Sequence, residues 1–418
     1  MDLYADFEWR GLIYDATDGL REALAAGPMV GYIGFDPTAS SLHVGSLLPL
    51  TVLMRFQRAG HRPIAILGGG TGLIGDPSGK LQERPLLAVE EVRRHLEGLR
   101  AQIGRFLDLE RGARILDNAD WLAPLDLMSF LRDIGKHFTV NALLQKESVR
   151  RRLEQADGLS FTEFSYVLLQ AYDFLVLYDR FGCTLQMGGS DQWGNITAGI
   201  DLIRRLRGAR AHGLVLPLVT TAGGTKFGKT EAGTVWLDAQ LTSPFRFYQF
   251  WLNTDDRDVV RYLKYFSFRG REEIDELARA VEREPERRAA QRELAREVTA
   301  LVHGAEAARR AERAAAVLFG GDLADVAVED VLEVFEDAPS TELVLPAEGL
   351  ALVELLVATR LAPSKSEAVR LIRSGGIYLN NRRIGDERAR IGPEEALGGR
   401  VLLLRKGARQ VHLVRLGR

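Results

Sequence analysis

Short apolar runs separated by helical patterns recur from Met29 to Val219, and this spacing constrains the fold more than any other feature of the chain. Met29–Phe35 (MVGYIGF) and Arg62–Leu67 (RPIAIL) read as strands, with Ser46–Ala59 between them as a helix. Arg114–Asp117, Thr184–Met187 and Leu214–Val219 (LVLPLV, broken by Pro217) read as further strands. Strand, helix, strand in that order is a βαβ unit, so a parallel sheet covered by helices is expected. From Thr242 to Phe319 the pattern turns helical, with amphipathic periodicity across Glu272–Ala315.

Composition narrows the class. With 418 residues, 46% hydrophobic and 27% charged, the chain has enough apolar surface for a large core, and two or three domains are expected. A net charge of −2 excludes a uniformly basic nucleic-acid coat. Cys183 is the only cysteine, which excludes an intrachain disulfide and a thiolate zinc site. Met1–Glu8 carries acids where a signal peptide needs Lys or Arg, and no apolar run reaches the ~18 residues of a membrane span. A cytoplasmic protein without a membrane anchor is the expectation.

Charge is unevenly spread. Leu350–Arg418 holds 14 Lys/Arg against 6 Asp/Glu, a net of +8, whereas Gly321–Gly349 holds nine acids and no Lys or Arg. That acidic stretch, with Pro339 and Pro346, reads as a short helix plus a tether between domains.

Two nucleotide-binding strings match by pattern only. Gly70-Thr-Gly72-Leu-Ile-Gly75 satisfies G-x-G-x-x-G, but Asp76-Pro77 and a turn-like GDPSGKLQER follow, so no helix N-terminus is placed to hold a pyrophosphate. Gly223-Gly-Thr-Lys-Phe-Gly228-Lys229-Thr230 satisfies the P-loop pattern, but Glu231-Ala-Gly-Thr-Val-Trp-Leu after it reads extended rather than helical. Phosphate binding by Lys226 and Lys229 is retained; the P-loop fold is not.

The informative run is Tyr32-Ile-Gly-Phe-Asp36-Pro-Thr38-Ala-Ser-Ser-Leu-His43-Val-Gly45-Ser46. It is a strand ending in an Asp-Pro turn before a helix, which gathers Asp36, Thr38 and His43 at the carboxyl edge of a parallel sheet. Gly45 lets a ligand approach the first helical turn, where free N–H groups favour an anion. Taken alone, His43 is an ordinary cap histidine, Tyr32 a core aromatic, and Asp173 a helix-face acid. This run resembles the first signature of the class I aminoacyl-tRNA synthetases, and Lys226-Phe-Gly-Lys229-Thr230 resembles their mobile lysine loop. Similarity is greatest to the bacterial tyrosyl-tRNA synthetase family. Asp76-Pro-Ser-Gly-Lys80, Ser160–Tyr166, Gln170-Ala-Tyr-Asp173 and Gly188-Gly189-Ser-Asp191-Gln192-Trp-Gly-Asn195 also fit it, in the expected order. Ser46 replaces the consensus histidine of the first signature, and the lysine loop has Phe-Gly and Thr where the consensus has Met-Ser and Ser.

The resemblance implies a Rossmann-like α/β catalytic domain, an α-helical domain and a small α+β RNA-binding domain. It implies activation of L-tyrosine by ATP to tyrosyl-adenylate and pyrophosphate, then transfer to the tRNA 3′ end, with Mg²⁺ accompanying ATP and no protein-bound metal. Lys226, Lys229, Thr230, His43 and Thr38 are the implied catalytic set. Asp36, Gly45, Ser46, Gly189, Asp191, Lys80 and Arg84 are implied for ATP, and Tyr32, Asp76, Tyr166, Gln170, Asp173 and Gln192 for tyrosine. The attacking carboxylate needs no base, so the site has only to hold it in line and stabilise charge on the leaving pyrophosphate. A carboxylate and a phenol around the substrate hydroxyl select against phenylalanine, which would leave them unpaired.

Ser364-Lys365-Ser-Glu-Ala-Val-Arg370-Leu-Ile-Arg373 is an amphipathic helix with a basic outer face, followed by Ser374–Asn381 turning into a strand. It resembles a small ribosomal-protein-type RNA-binding domain, with Lys365, Arg370 and Arg373 toward RNA and Asn381 where glycine is usual. The expected divisions are 1–222 catalytic with a dimerisation segment at about 121–164, 223–320 lysine loop and helices, 321–349 acidic linker, and 350–418 RNA-binding. Expected partners are tRNA for tyrosine and, through the inserted segment, a second copy of the chain. Rival readings are a tryptophanyl-tRNA synthetase, a catalytically silent RNA-binding protein on the same scaffold, and a dinucleotide oxidoreductase.

Overall fold

The computed structural model describes residues 2–78, 87–154, 158–224, 227–230, 233–318, 320–323, 326–336, 338–407 and 410–417, without the side chains of residues 147, 148, 229 and 230. Two compact units emerge: Met1–Thr242 with Asp255–Ala290, and Ser243–Thr254 with Gln291–Arg418.

The first unit is built on six strands, β1 (Asp15–Ala16), β2 (Val30–Phe35), β3 (Arg62–Leu67), β4 (Arg114–Asp117), β5 (Cys183–Gly189) and β6 (His212–Leu216). Their order is β1-β6-β5-β2-β3-β4. Every pairing is parallel except β1 with β6. β3 and β4 have the bounds expected from sequence. β6 starts earlier than expected, at His212, and stops before Pro217, which cannot donate to a ladder. Crossovers are made by α1 (Leu47–Arg58), α2 (Val89–Ile103), α3 (Phe161–Phe181) and α4 (Trp193–Arg207). α1 carries Pro49 in its first turn, where a backbone N–H has no intrahelical acceptor to lose. Ser160 caps α3 by accepting from the Glu163 N–H at 3.2 Å, and Gly182 ends it at φ 65°. Tyr32, Ile64, Ile66, Trp121, Phe174 and Leu177 share one buried cluster between sheet and helices. After β6 come a two-stranded hairpin, β7 (Lys229–Thr230) with β8 (Gly233–Thr234), and helix α5 (Asp256–Phe266). The described residues after the second glycine motif begin with a strand, Gly233–Thr234, rather than a helix; Glu231 and Ala232 lie outside the described residues.

In the second unit, helix α6 (Ala305–Leu318) precedes the acidic stretch, which contains α7 (Val328–Val334) and β9 (Ser340–Leu343). Beyond it lie α8 (Leu352–Ala358), α9 (Lys365–Arg373), β10 (Ile377–Leu379), β11 (Arg382–Arg383), β12 (Val401–Lys406) and β13 (Gln410–Leu416). The sheet order is β11-β10-β12-β13-β9, and β9 pairs in parallel with β13. The acidic stretch thus supplies an edge strand to the basic sheet. No helix among the described residues is long and apolar enough to cross a membrane.

Candidate active site

Side chains alternate along β2, so Tyr32, Gly34 and Asp36 share one face of the sheet. Gly34 is exposed, and a Cβ built there meets nothing within 4 Å. An open lane therefore runs over Gly34, with a phenol at one end and a carboxylate at the other.

Tyr32 is buried edge-on to Phe174 at 5.4 Å, and its Oη has no hydrogen-bond partner among the described residues. Burial raises its pKa well above the ordinary phenol value, with the charge of Asp173 acting in the same direction. A buried hydroxyl left unpaired is costly, and a ligand hydroxyl would satisfy it. Asp173, from α3, accepts from Trp121 Nε1 at 2.7 Å and from Asn118 Nδ2 at 3.0 Å. Burial pushes its carboxyl up to about 7, while these two N–H donors pull it down. Two donors leave the carboxylate with further acceptor capacity.

Asn118 joins this corner to the rest of the lane. Its Nδ2 also donates to Thr71 Oγ1 at 2.9 Å, and its Oδ1 accepts from Gly70 N at 2.8 Å. Thr71 Oγ1 donates to Asp36 Oδ1 at 3.3 Å, and Tyr166 Oη donates to Asp36 Oδ2 at 3.4 Å. The glycine-rich turn after β3 thus donates from Gly69 N to Asp117 Oδ1 at 3.1 Å and from Gly70 N and Thr71 N to Asn118 Oδ1. Tyr166 is pushed well above the ordinary phenol range by burial first, then by the charges of Asp36, Asp76 and Asp173.

A second polar group lies beside it. Asp76 Oδ2 accepts from Gln192 Nε2 at 2.7 Å, and its Oδ1 accepts from Ser78 N at 2.8 Å. Asn195 Nδ2 faces Gln170 Oε1 at 3.0 Å, Gln192 Oε1 at 3.2 Å and Ser78 Oγ at 3.4 Å. Tyr166, Gln170 and Asp173 follow one face of α3, as their i, i+4, i+7 spacing requires. Gly189 ends β5, and Asp191 follows in a 3₁₀ turn, Ser190–Gln192.

Backbone pairing brings the two signatures together. Val44 N donates to Val235 O at 3.0 Å, Leu237 N to Leu42 O at 2.8 Å, and Val235 N to Gly228 O at 3.1 Å. His43 Nδ1 accepts from Gly45 N at 2.9 Å, and a Cβ on Gly45 would stand 2.6 Å from the His43 ring. Gly228 has φ 82°, and a Cβ there would lie 2.7 Å from Val44 Cγ2, so glycine is needed on both sides of this approach. Phe227 is buried, stacked on Phe266 at 5.6 Å and edge-on to Tyr262 at 5.0 Å, both on α5. Thr38 N donates to Asp36 O at 2.9 Å and Ser46 N to His43 O at 2.8 Å. Ser46 makes no side-chain cap bond. Lys80, Arg84 and Lys226 lie outside the described residues; Lys229 and Thr230 are described by backbone alone, in β7.

Sequence reasoning gave no role to Thr71, Ser78, Asn118, Trp121 or Asn195. Thr71, Ser78 and Asn195 stood inside quoted segments, and Trp121 at the start of the expected dimerisation segment, but Asn118 and Trp121 carry no motif. Their signal is the Asp-Asn step after a short strand, whose meaning depends on where Asp173 comes to lie. No group of three or more His, Cys, Asp or Glu side chains that could hold a metal ion occurs among the described residues.

In the second unit, Lys365, Arg370 and Arg373 are exposed and ion-paired with Glu354 at 2.8 Å, Glu367 at 2.6 Å and Glu387 at 2.6 Å. Such pairs are weak, so a phosphate can displace the acid at small cost.

Known proteins resemble this chain over nearly its whole length. Residues 25–320 match the family described as tRNA synthetases class I (W and Y), and residues 330–414 match the Tyrosine--tRNA ligase SYY-like C-terminal domain. A tyrosine--tRNA ligase of Roseiflexus castenholzii is 56% identical over 98% of this chain and 98% of its own. That of Geobacillus kaustophilus is 54% identical over 99% and 100%. Among solved structures, a C-terminally truncated mitochondrial tyrosyl-tRNA synthetase of Aspergillus nidulans superposes with TM-score 0.70 at 31% identity, covering 76% of this chain and 94% of that one. The chain belongs to the class I tRNA synthetases, and within them to the tyrosine–tRNA ligases, which join tyrosine to tRNA with ATP.

Proposed function

We propose that tyrosine lies along the lane over Gly34, with its phenol between Tyr32 and Asp173 and its ammonium group among Asp76, Tyr166 and Gln170. The observation that carries this reading is the buried Tyr32 Oη, without a partner among the described residues, near a carboxylate fixed by Trp121 and Asn118 with acceptor capacity to spare. The substrate hydroxyl accepts from Tyr32 and donates to Asp173. Gln192, already on Asp76, stands where the amino-acid carboxylate would turn toward ATP.

ATP would lie at the carboxyl edge of the sheet, against Asp36, Gly45, Ser46, Gly189 and Asp191, with Lys80 and Arg84 toward its phosphates. His43, Thr38, Lys226, Lys229 and Thr230 would stabilise the charge that builds on pyrophosphate as the carboxylate attacks the α-phosphorus. The pairing of Leu42–Val44 with Val235–Leu237, and of Val235 N with Gly228 O, supports this, because it holds the first signature beside the end of the lysine loop. Mg²⁺ would enter with ATP, as part of the substrate.

We read Lys365, Arg370 and Arg373 as tRNA phosphate contacts, and the working enzyme as a homodimer. Leu127, Met128, Leu131 and Phe161 support the latter: all are exposed, Met128 by 71% and Phe161 by 77%, within the inserted segment. Large exposed apolar side chains clustered in one segment mark an interaction surface. This reading places the enzyme in the cytoplasm, with its tRNA and ATP. The test is tyrosine-dependent pyrophosphate exchange by Tyr32→Phe and Asp173→Ala against wild type, with sedimentation of Met128→Lys for the dimer. Undiminished exchange in both pocket variants would overturn the pocket assignment, and an unchanged sedimentation coefficient the dimer surface.

A further inference from the structure

Two side chains of the C-terminal sheet reach the end of α6, and nothing in the adenylation chemistry uses them. Asn380 and Asn381 join β10 to β11, both at positive φ (48° and 61°), with Leu379 paired to Arg382. That is the backbone of a type I′ hairpin turn. Asn380 turns into the sheet, where its Oδ1 accepts from Leu403 N at 3.0 Å and its Nδ2 donates to Glu395 O at 2.7 Å. Asn381 turns outward, and its Nδ2 donates to Val317 O at 3.1 Å and Gly321 O at 2.9 Å. Arg405, on β12, is only 5% exposed. Its Nη2 donates to Val317 O and its Nη1 to Leu318 O, each at 3.0 Å, and no carboxylate among the described residues pairs with it. The last carbonyls of a helix lack intrahelical donors and carry the negative end of its dipole. A buried cation and an amide answer both needs at the end of α6.

Apolar packing surrounds these bonds. Val317, Leu323, Val331 and Phe335 form one buried cluster with Leu403 and Leu413. On the other face of β12, Leu402 and Leu404 pack with the domain's own helices. Both faces of that strand are therefore covered, which explains its unbroken apolar run. All these residues belong to one compact unit.

We infer that Asn381 and Arg405 are positioning residues for tRNA charging: they latch the C-terminal domain onto the end of α6. Its exposed cations then meet tRNA from a fixed platform rather than from a tether. An unlatched platform would have to be ordered by the RNA itself, which lowers apparent affinity by the latched fraction. The inference rests on reading this domain as the RNA-binding one.

The test uses the full chain as wild type, Asn381→Gly, Arg405→Met, Arg405→Lys and the surface variant Lys365→Ala/Arg370→Ala/Arg373→Ala. Glycine takes φ 61° without a Cβ penalty, so Asn381→Gly keeps the hairpin and removes only the amide. Amide hydrogen exchange without RNA reads the latch; tRNA charging and pyrophosphate exchange read its use. Asn381→Gly should speed exchange at Gly320, Gly321 and residues 328–335 by about 10-fold, the loss of two ordinary hydrogen bonds. It should raise KM for tRNA several-fold and leave kcat and pyrophosphate exchange unchanged. Arg405→Met should do more, and Arg405→Lys should recover part of the loss. Unchanged amide exchange in both Asn381→Gly and Arg405→Met would overturn the latch, and a raised KM alongside it would mean that these side chains touch RNA directly. Faster amide exchange with a wild-type KM would overturn the positioning role. If instead the surface variant charges tRNA with a wild-type KM, the RNA-binding reading itself fails, whatever the exchange data show.

Discussion

Phe227→Ala separates the anchoring of the lysine loop from the chemistry of its lysines. The ring is 5% exposed, stacked on Phe266 and edge-on to Tyr262, and it sits one residue from Lys226 and two from Lys229. A buried Phe→Ala change costs about 3–5 kcal/mol in a core. This ring holds a loop rather than a sheet, so most of that cost should appear as detachment of the loop, not as global unfolding. A loss of ~3 kcal/mol shifts a docked-to-undocked ratio by about 10²-fold, and the rate of adenylate formation should fall by up to that factor. Affinity for tyrosine should stay within about twofold, because every group assigned to tyrosine sits on β2, on α3 or in the Asp76 and Gln192 turns. The assay is single-turnover adenylate formation with tyrosine and ATP varied in turn, with Phe227→Leu as the conservative control. A mutant that melts earlier but forms adenylate at the wild-type rate would refute the anchoring argument. So would one that loses tyrosine affinity in step with rate.

Lys229→Ala should slow adenylate formation by ~10²–10³ with tyrosine binding nearly intact, since its charge is needed mainly in the transition state; pyrophosphate exchange measures it. Tyr32→Phe should cost tyrosine, relative to phenylalanine, about 0.5–1.5 kcal/mol of selectivity, read as the ratio of kcat/KM values; an unchanged ratio returns Tyr32 to the role of core aromatic. Asp173 gives two pH effects of opposite sign. Its folded pKa is raised from 3.8 to about 7, so the folded state holds a proton that the unfolded chain has lost between those values, and stability should fall as pH rises through that window. Asp173→Asn should flatten that slope in thermal melts, while in the wild type KM for tyrosine should fall as pH rises through about 7 and the carboxylate ionises to accept the phenol.

The sheet was legible because β3 and β6, buried on both faces, read as continuous apolar runs and helices intervene at regular spacing. Arg62–Leu67 and Arg114–Asp117 keep their bounds, whereas β1 was not foreseen, since Asp15–Ala16 is too short for any periodicity to show. Of the candidate site, the contiguous runs Tyr32 to Ser46 and Gly188 to Gln192 stand out in the sequence, because neighbouring residues share one strand end or turn. Asn118 and Trp121 do not, because they act on Asp173 from the short helix Ala119–Leu122 and its N-cap, 52–55 residues away in sequence. The acidic stretch read as a helix with a tether, yet β9 extends the basic sheet. Its negative charge finds partners there: Glu329 pairs with Arg400 at 2.7 Å and Asp322 approaches Arg382 at 3.7 Å. Opposite net charges on adjacent segments mark a boundary in sequence and an interface in space, and composition alone does not tell them apart.

Activation of tyrosine in particular is read by pyrophosphate exchange with each amino acid in turn, on the full chain and without tRNA. Exchange should require tyrosine, with phenylalanine and tryptophan slower by orders of magnitude, because each would leave Tyr32 and Asp173 buried without the hydroxyl between them. Exchange supported equally by tryptophan or phenylalanine, or by no amino acid, would contradict it.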